Sequence, residues 1–188
     1  MKQRWFLIIA VAIGAAALGF YVGKPKIESP SPATQATPEA QDAAQKLANL
    51  SIFTAQGQPV SLRQWQGKVL VVNFWATWCP PCREEMPEFS RVHEQLNAKG
   101  VQFVGIGIDT PDNIINFEKA HPVSYPLLMG TYETLKLTAE LGNTSSALPF
   151  TVILDREGKV AHTKMGKLSE AELNRLLVPL YSATSPKQ

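Results

Sequence analysis

Alternating apolar and polar runs over residues 49–183 predict a series of strands and helices. Residues 68–76 and 101–108 are continuous apolar runs of strand length, which is typical of strands that are buried on both faces. Between them, residues 83–99 carry apolar side chains at helical spacing, and Gly100 follows as a stop signal. This strand–helix–strand order indicates an α/β sheet.

The flanking segments extend this pattern. A turn signal at residues 56–58 lies between two short alternating runs and predicts an N-terminal hairpin. Ser169 is expected to cap a final helix, because Glu170 and Glu172 follow it and complement the helix dipole. Further helices are predicted over residues 112–120 and 133–141, and further strands over residues 150–154 and 160–165. The predicted fold class is α/β, with a central mixed β-sheet flanked by helices.

The chain begins with an uncharged apolar run at residues 5–22. As a helix this run would be about 27 Å long and would just cross the hydrocarbon layer, so it predicts a transmembrane anchor after a cytoplasmic stub at residues 1–4. The alternative is a signal peptide, for which Ala15-Ala16-Ala17 would supply a cleavage site. In both cases the rest of the chain is expected to lie outside the cytoplasm.

Composition separates a linker from the folded domain. Residues 23–48 are rich in proline and alanine without periodicity, so we expect a semi-extended linker, followed by a domain at residues 49–183 and a tail at residues 184–188. The domain contains 12 Lys and Arg against 13 Asp and Glu, a balance that gives no attraction for nucleic acid. Two cysteines in the whole chain exclude a disulfide-dense scaffold.

Both cysteines lie in the motif Trp78-Cys79-Pro80-Pro81-Cys82, directly after a predicted buried strand and at the opening of a predicted helix. Unsatisfied N–H groups at a helix N-terminus stabilise an anion, so the Cys79 thiol should be more acidic than a free cysteine. The two-residue spacer lets Cys82 reach Cys79 and close a ring reversibly. The motif predicts thiol–disulfide exchange, with Cys79 as the attacking thiolate and Cys82 as the resolving thiol.

Two other interpretations compete with exchange. A permanent structural disulfide would close so short a loop that it removes little chain entropy. A metal site needs further ligands, and His93 is eleven residues beyond Cys82, about 16 Å along the same predicted helix. His121 and His162 could approach only through the tertiary fold. We therefore expect no metal and no cofactor.

Two segments of the chain carry a family resemblance. Residues 73–88 read Asn-Phe-Trp-Ala-Thr-Trp-Cys-Pro-Pro-Cys-Arg-Glu-Glu-Met-Pro-Glu and resemble the active-site segment of the TlpA-like branch of thioredoxin-fold proteins. Ala147-Leu148-Pro149-Phe150 is similar to the segment in which these proteins place a cis-proline opposite the C-x-x-C. The resemblance covers nearly the whole folded part, including the N-terminal hairpin and a helix–strand insertion after Asp109. It implies a thioredoxin-like fold.

The same resemblance implies an activity, a location and site residues. The expected protein is a thiol–disulfide oxidoreductase anchored on the periplasmic side of the inner membrane. Pro149 is expected to be the cis-proline, with Leu148 offering its backbone to substrate, and Trp78 to form apolar substrate surface. The expected partners are protein disulfide clients and a membrane electron donor for re-reduction, and the chain is expected to be a monomer.

Four functions remain open at this point. The leading one is a reductase of protein disulfides, for example in cytochrome c maturation. A net oxidant of folding proteins and a copper-handling dithiol chaperone for oxidase assembly are the alternatives. A peroxidase is disfavoured, because the expected Pro-x-x-x-Thr-x-x-Cys is missing and Ala76 occupies the threonine position.

One departure from the thioredoxin pattern concerns the resolving thiol. Thioredoxins proper carry a buried Asp where this chain has Asn73, and a buried Lys that would fall at Gly105. The proton acceptor for Cys82 is therefore not identified. Glu84 or Glu85 could serve, although carboxylates in a first helical turn are usually partners of the helix dipole.

Overall fold

The computed structural model describes residues 37–182, in which a seven-stranded mixed β-sheet carries helices on both faces. The helices are α1 (Pro38–Asn49), α2 (Pro80–Leu96), α3 (Pro111–Ala120), α4 (Tyr132–Glu140) and α5 (Glu170–Ser182). The strands are β1 (Ser51–Thr54), β2 (Pro59–Ser61), β3 (Val69–Trp75), β4 (Val101–Gly107), β5 (Leu127–Met129), β6 (Phe150–Leu154) and β7 (Val160–Met165). The predicted stub, anchor and tail lie outside the described residues, as does the linker before residue 37.

The strands are arranged in the order β2-β1-β5-β4-β3-β6-β7. Strands β3, β4 and β5 are mutually parallel, and the remaining neighbours pair antiparallel. The predicted mixed α/β sheet is confirmed, and β1 and β2 form the predicted N-terminal hairpin. Helix α3, strand β5 and helix α4 form the expected insertion between β4 and β6.

The central strand β3 is buried over its whole length, as its continuous apolar run predicts. Its alternate side chains enter two separate cores. Val71 and Trp75 pack with residues of α2 and α5, while Val72 and Phe74 pack with residues of α1 and α4. The sheet therefore lies between two layers of helix, and the two cysteines belong to the α2 side.

Residues 38–48 belong to helix α1, whereas their composition predicts that they are part of the linker. Thr37 caps this helix by accepting a hydrogen bond from Ala40 N–H, and Pro38 occupies its first turn. Ala43 and Leu47 are fully buried in the same core as α4. The alanines that look like linker composition form a narrow apolar face on which the helix approaches the domain closely.

The ends of two other helices refine the prediction. Helix α2 begins at Pro80 rather than at residue 83, because Cys79 is its N-cap and both prolines lie in its first turn. The cap predicted for α5 is confirmed, since Ser169 Oγ accepts from Glu172 N–H at 3.3 Å and donates back to the Glu172 carboxylate. Between residues 37 and 182, no helix is long and apolar enough to cross a membrane.

The burial of α1 leads to a prediction about stability. Leu47→Ala should lower the free energy of unfolding by about 2–4 kcal/mol, because it leaves a cavity in the core shared with α4. Chemical denaturation of the oxidised protein measures this change. Gln45→Ala, an exposed substitution on the same helix, is the matched control and should change stability by less than about 0.5 kcal/mol. Equal stability of the two variants would show that α1 is not part of the cooperative domain.

Candidate active site

Cys79 and Cys82 form a disulfide at the N-terminus of α2. The Cys79 Sγ accepts a hydrogen bond from Cys82 N–H at 3.3 Å, so the sulfur is the capping group of the helix. Cys79 is 4% exposed, whereas Cys82 is fully buried. The Cys79–Cys82 disulfide that the motif predicts is therefore formed in this structure. Of the two cysteines, Cys79 is the one with a small solvent-exposed area.

The polypeptide that leads from β3 to the disulfide is held by Asp109. This residue follows β4, and its carboxylate accepts hydrogen bonds from the Thr77 hydroxyl and from Thr77 N–H. Partial desolvation opposes ionisation, but hydrogen bonds from Thr77, Asn113 and Thr110 N–H keep the pKa of Asp109 below its usual range. Sequence reasoning used Asp109 only as a boundary, although its place directly after a buried strand was a signal.

The peptide bond between Leu148 and Pro149 is cis, as the resemblance implies. Strand β6 pairs antiparallel with β3, with Phe150 opposite Phe74, so the cis-proline lies at the sheet edge from which β3 leads to Cys79. Leu148 is half-buried against the core that contains both cysteines. Trp78, the residue before Cys79, is 67% exposed. The structure thus brings Trp78, Leu148 and Pro149 to the disulfide edge of the sheet, where their roles toward a substrate stay predictions.

Glu84 and Glu85 have different environments. Glu84 is exposed and forms an ion pair with Lys167 at 3.0 Å. Glu85 is fully buried, and its carboxylate accepts hydrogen bonds from Asn73 Nδ2 at 2.8 Å and from Leu168 N–H at 2.9 Å. The interpretation of Glu85 as a dipole partner is therefore wrong, because the side chain points into the core beneath the active site.

Burial makes Glu85 a group that titrates near neutral pH. Desolvation raises the pKa of Glu85 to about 7, although hydrogen bonds from Leu168 N–H and Asn73 act to lower it. It is the one buried carboxylate among residues 37–182. It lies three residues after Cys82 on the buried face of α2.

The position equivalent to the buried lysine of thioredoxins has no room for a side chain. The register pairs Asn73 with Gly105. A Cβ atom at Gly105 would lie 2.6 Å from Leu127 Cδ2 and 3.1 Å from Trp75 Nε1. A lysine would displace these side chains, so Glu85 is left without a cationic partner from β4.

Three polar atoms in this part of the core have no hydrogen-bond partner within the described part of the chain. They are Asn73 Oδ1, Trp75 Nε1 and the hydroxyl of Tyr125. Burial, together with the charge of Glu85, raises the pKa of Tyr125.

Within the described residues, the histidines form no metal site with the cysteines. His93 is buried and contacts Ser124 Oγ at 2.9 Å and Gln102 Nε2 at 3.4 Å, and burial lowers its pKa. Over residues 37–182, the structure brings no three His, Cys, Asp or Glu side chains together as a metal site. A copper-handling alternative therefore rests on the two sulfur atoms alone.

A groove of about 620 Å³ is lined in part by Pro80, the residue that follows Cys79. It lies between the first turns of α2 and the end of α3, with Pro80, Arg83 and Phe117 in its walls. A second cavity, of about 230 Å³, lies near Lys68 and Arg156 at the opposite end of β3. Of these two, the first lies at the end of α2 that follows Cys79.

Comparison with known proteins identifies the family. A family profile described as Redoxin matches residues 32–177, which is most of the chain. The chain belongs to the Redoxin family. Among curated Redoxin relatives, it is 27% identical over 130 residues to the thiol-disulfide oxidoreductase ResA of Bacillus cereus, covering 69% of this chain and 73% of the relative.

Solved structures agree with this assignment. A thioredoxin-related protein from Neisseria meningitidis serogroup B is 37% identical, with a TM-score of 0.63, covering 70% of this chain and 98% of the other. A thiol:disulfide interchange protein of the thioredoxin family from Chlorobium tepidum TLS is 28% identical, with a TM-score of 0.66, covering 81% and 99%. The thioredoxin-like fold is confirmed, and this Redoxin protein is a thiol–disulfide oxidoreductase.

The environment of Glu85 predicts how stability depends on pH. Its pKa is near 4.5 in the unfolded chain and about 7 in the folded protein, so the folded protein binds the proton more tightly. The contribution of Glu85 to the free energy of unfolding should therefore fall by about 3 kcal/mol as the pH rises from below 4.5 to above 7. Glu85→Gln should remove this dependence.

Denaturant unfolding of the oxidised protein at pH 5 and pH 8 measures the effect. Glu84→Gln is the matched control, because Glu84 is exposed one residue away. It should retain the wild-type difference between the two pH values. If Glu85→Gln also retains that difference, Glu85 is not the group with the raised pKa.

Proposed function

We propose that this protein is an extracytoplasmic, membrane-anchored reductase of protein disulfides. The observation that carries the proposal is the disulfide at the N-terminus of α2 with a buried carboxylate beneath it. An exchange reaction needs three groups: an attacking sulfur that a client can reach, a second sulfur that resolves the mixed disulfide, and a group that takes up its proton. Cys79, Cys82 and Glu85 supply them here.

The reaction runs from the reduced dithiol. The Cys79 thiolate attacks one sulfur of a client disulfide, forming a mixed disulfide, while the other client sulfur leaves as a thiolate and takes up a proton. Cys82 then loses its proton and attacks Cys79 Sγ. This releases the second client thiol and closes the Cys79–Cys82 disulfide. The client gains two electrons from the protein and two protons, of which one is released by Cys82 and the other comes from solvent.

Glu85 is the proposed proton acceptor for Cys82. It follows Cys82 by three residues in α2, and both side chains are fully buried on the same face of the helix. A carboxylate with a pKa of about 7 is present in both protonation states near neutral pH. It can therefore accept the thiol proton during the second step and release it again afterwards. This role replaces that of the buried Asp of thioredoxins, whose position Asn73 occupies.

The electrostatics of the site favour a reducing couple. Pro80 and Pro81 have no N–H groups, and Arg83 is exposed to solvent. Glu85, when ionised, places a negative charge beneath the sulfur atoms and disfavours thiolates. Since groups that stabilise the thiolate make a couple more oxidising, this site is expected to lie toward the reducing end.

The location and partners follow from the sequence. An anchor at residues 5–22 would hold the domain at the outer face of the inner membrane, close to a membrane donor that re-reduces the disulfide. The clients would be protein disulfides, such as those of apocytochrome c, bound over Trp78, Leu148 and Pro149. The exposed indole of Trp78 and the half-buried Leu148 support apolar contact with such a client.

Trapping tests the order of the two thiols. Reduced Cys82→Ser, mixed with insulin, should hold an insulin chain on Cys79 as an adduct that dithiothreitol releases, because the resolving thiol is missing. Mass spectrometry identifies the adduct and its site. Cys79→Ser is the matched control and should form at least about tenfold less adduct, since Cys82 is fully buried. Equal trapping by the two variants would reverse or remove the assignment.

The midpoint potential tests the direction of electron flow. Equilibration with glutathione buffers should give a value nearer to that of thioredoxin, about −270 mV, than to that of DsbA, about −120 mV. The fraction of oxidised protein can be read from alkylation and mass. A midpoint close to that of DsbA would contradict the reductase function and favour a net oxidant.

A further inference from the structure

The segment that leads into the cis-proline is held by one buried side chain. Asn143 is fully buried between α4 and β6. Its Oδ1 accepts a hydrogen bond from Ala147 N–H at 2.9 Å, and its Nδ2 donates to Ala147 C=O, also at 2.9 Å. One amide group therefore satisfies both backbone polar groups of a single residue, four positions further along the chain.

The backbone of Asn143 is hydrogen-bonded as well as its side chain. Its N–H donates to Thr138 C=O in α4 at 2.8 Å, and its C=O accepts from Ser146 N–H at 3.1 Å. Ser146 has a φ of 51°, in the left-handed region, so the chain folds back sharply just before Ala147. Asn143 thereby connects the end of α4 to Ser146 and Ala147, which precede Leu148 and the cis-proline.

Leu148 differs from Ala147 in its hydrogen bonding. The N–H and C=O groups of Leu148 form no hydrogen bond with the described residues of the chain. Leu148 lies between Ala147 and Pro149. Ala147 is held by the two hydrogen bonds from Asn143, and the C=O of Pro149 accepts from Gly166 N–H at 2.9 Å. The backbone of Leu148 is thus left available, at the disulfide edge of the sheet, between two fixed neighbours.

We propose that Asn143 is a positioning residue for the client, and that it acts by fixing the backbone of Ala147 so that Leu148 presents its free N–H and C=O to an extended polypeptide beside Cys79. This inference rests on the proposed function. An Asn is suited to the role because its side chain supplies one acceptor and one donor on the same short group. Loss of the clamp frees the segment before the cis-proline, which weakens client binding more than the chemistry at the sulfur atoms.

Single-turnover kinetics of the reduced protein separate binding from chemistry. With insulin as the disulfide, Asn143→Ala should raise the half-saturating concentration about tenfold, the effect of losing one to two hydrogen bonds, while the maximum rate changes less than about twofold. With hydroxyethyl disulfide, which has no peptide backbone to pair with Leu148, the rate constant should stay within about twofold of wild type. Thr144→Ala, an exposed substitution in the same loop, is the matched control and should match wild type with both disulfides.

A second variant keeps the test valid if Asn143→Ala fails to fold. Asn143→Asp retains the acceptor for Ala147 N–H but loses the donor to Ala147 C=O, so its half-saturating insulin concentration should lie between those of wild type and Asn143→Ala. An unchanged half-saturating insulin concentration in a folded variant would overturn the proposal, as would equal slowing with both disulfides. A wild-type protein that reduces hydroxyethyl disulfide but not insulin would instead contradict the proposed function.

Discussion

Strand β3 is paired on both edges and covered on both faces, and the position of every active-site residue depends on this confinement. Pairing with β4 places Asp109 beside the segment that leads to Cys79. Pairing with β6 brings Pro149 to the same edge. The side chain of Asn73, which belongs to β3 itself, donates a hydrogen bond to Glu85 beneath α2. A shift of β3 by one residue would move the side chains of each face into the opposite core. The relative placement of these groups is therefore fixed by packing rather than by loops.

The parts predicted from sequence are those with a strong periodic or motif signal. The buried strands, the N-terminal hairpin, the helix after the cysteines and the cis-proline all belong to this class. Helix α1 was missed because its buried face consists largely of alanines such as Ala43 and Ala44, which a proline- and alanine-rich composition conceals. Burial of so small a face depends on what the sheet offers opposite it, and the local sequence does not contain that information.

The burial of Glu85 is predictable from helix geometry. It lies four residues before Phe89 and seven before Val92, so it shares the apolar stripe that predicted the helix. Glu84 is rotated away from that stripe by one residue. Asn143 gave no comparable signal, because it holds an irregular segment through hydrogen bonds to backbone atoms. Such contacts have no period, and they become visible only when the tertiary fold brings the partners together.

The exposed side chain of Trp78 has a practical consequence. Its indole belongs to the residue next to Cys79, and Trp75, three residues earlier, packs in the same core as both sulfur atoms. A disulfide quenches the emission of a nearby indole by accepting an electron from its excited state. Opening of the ring should therefore brighten the intrinsic fluorescence of the protein. The molecule contains its own optical reporter of oxidation state, and exchange with any partner can be followed without a label.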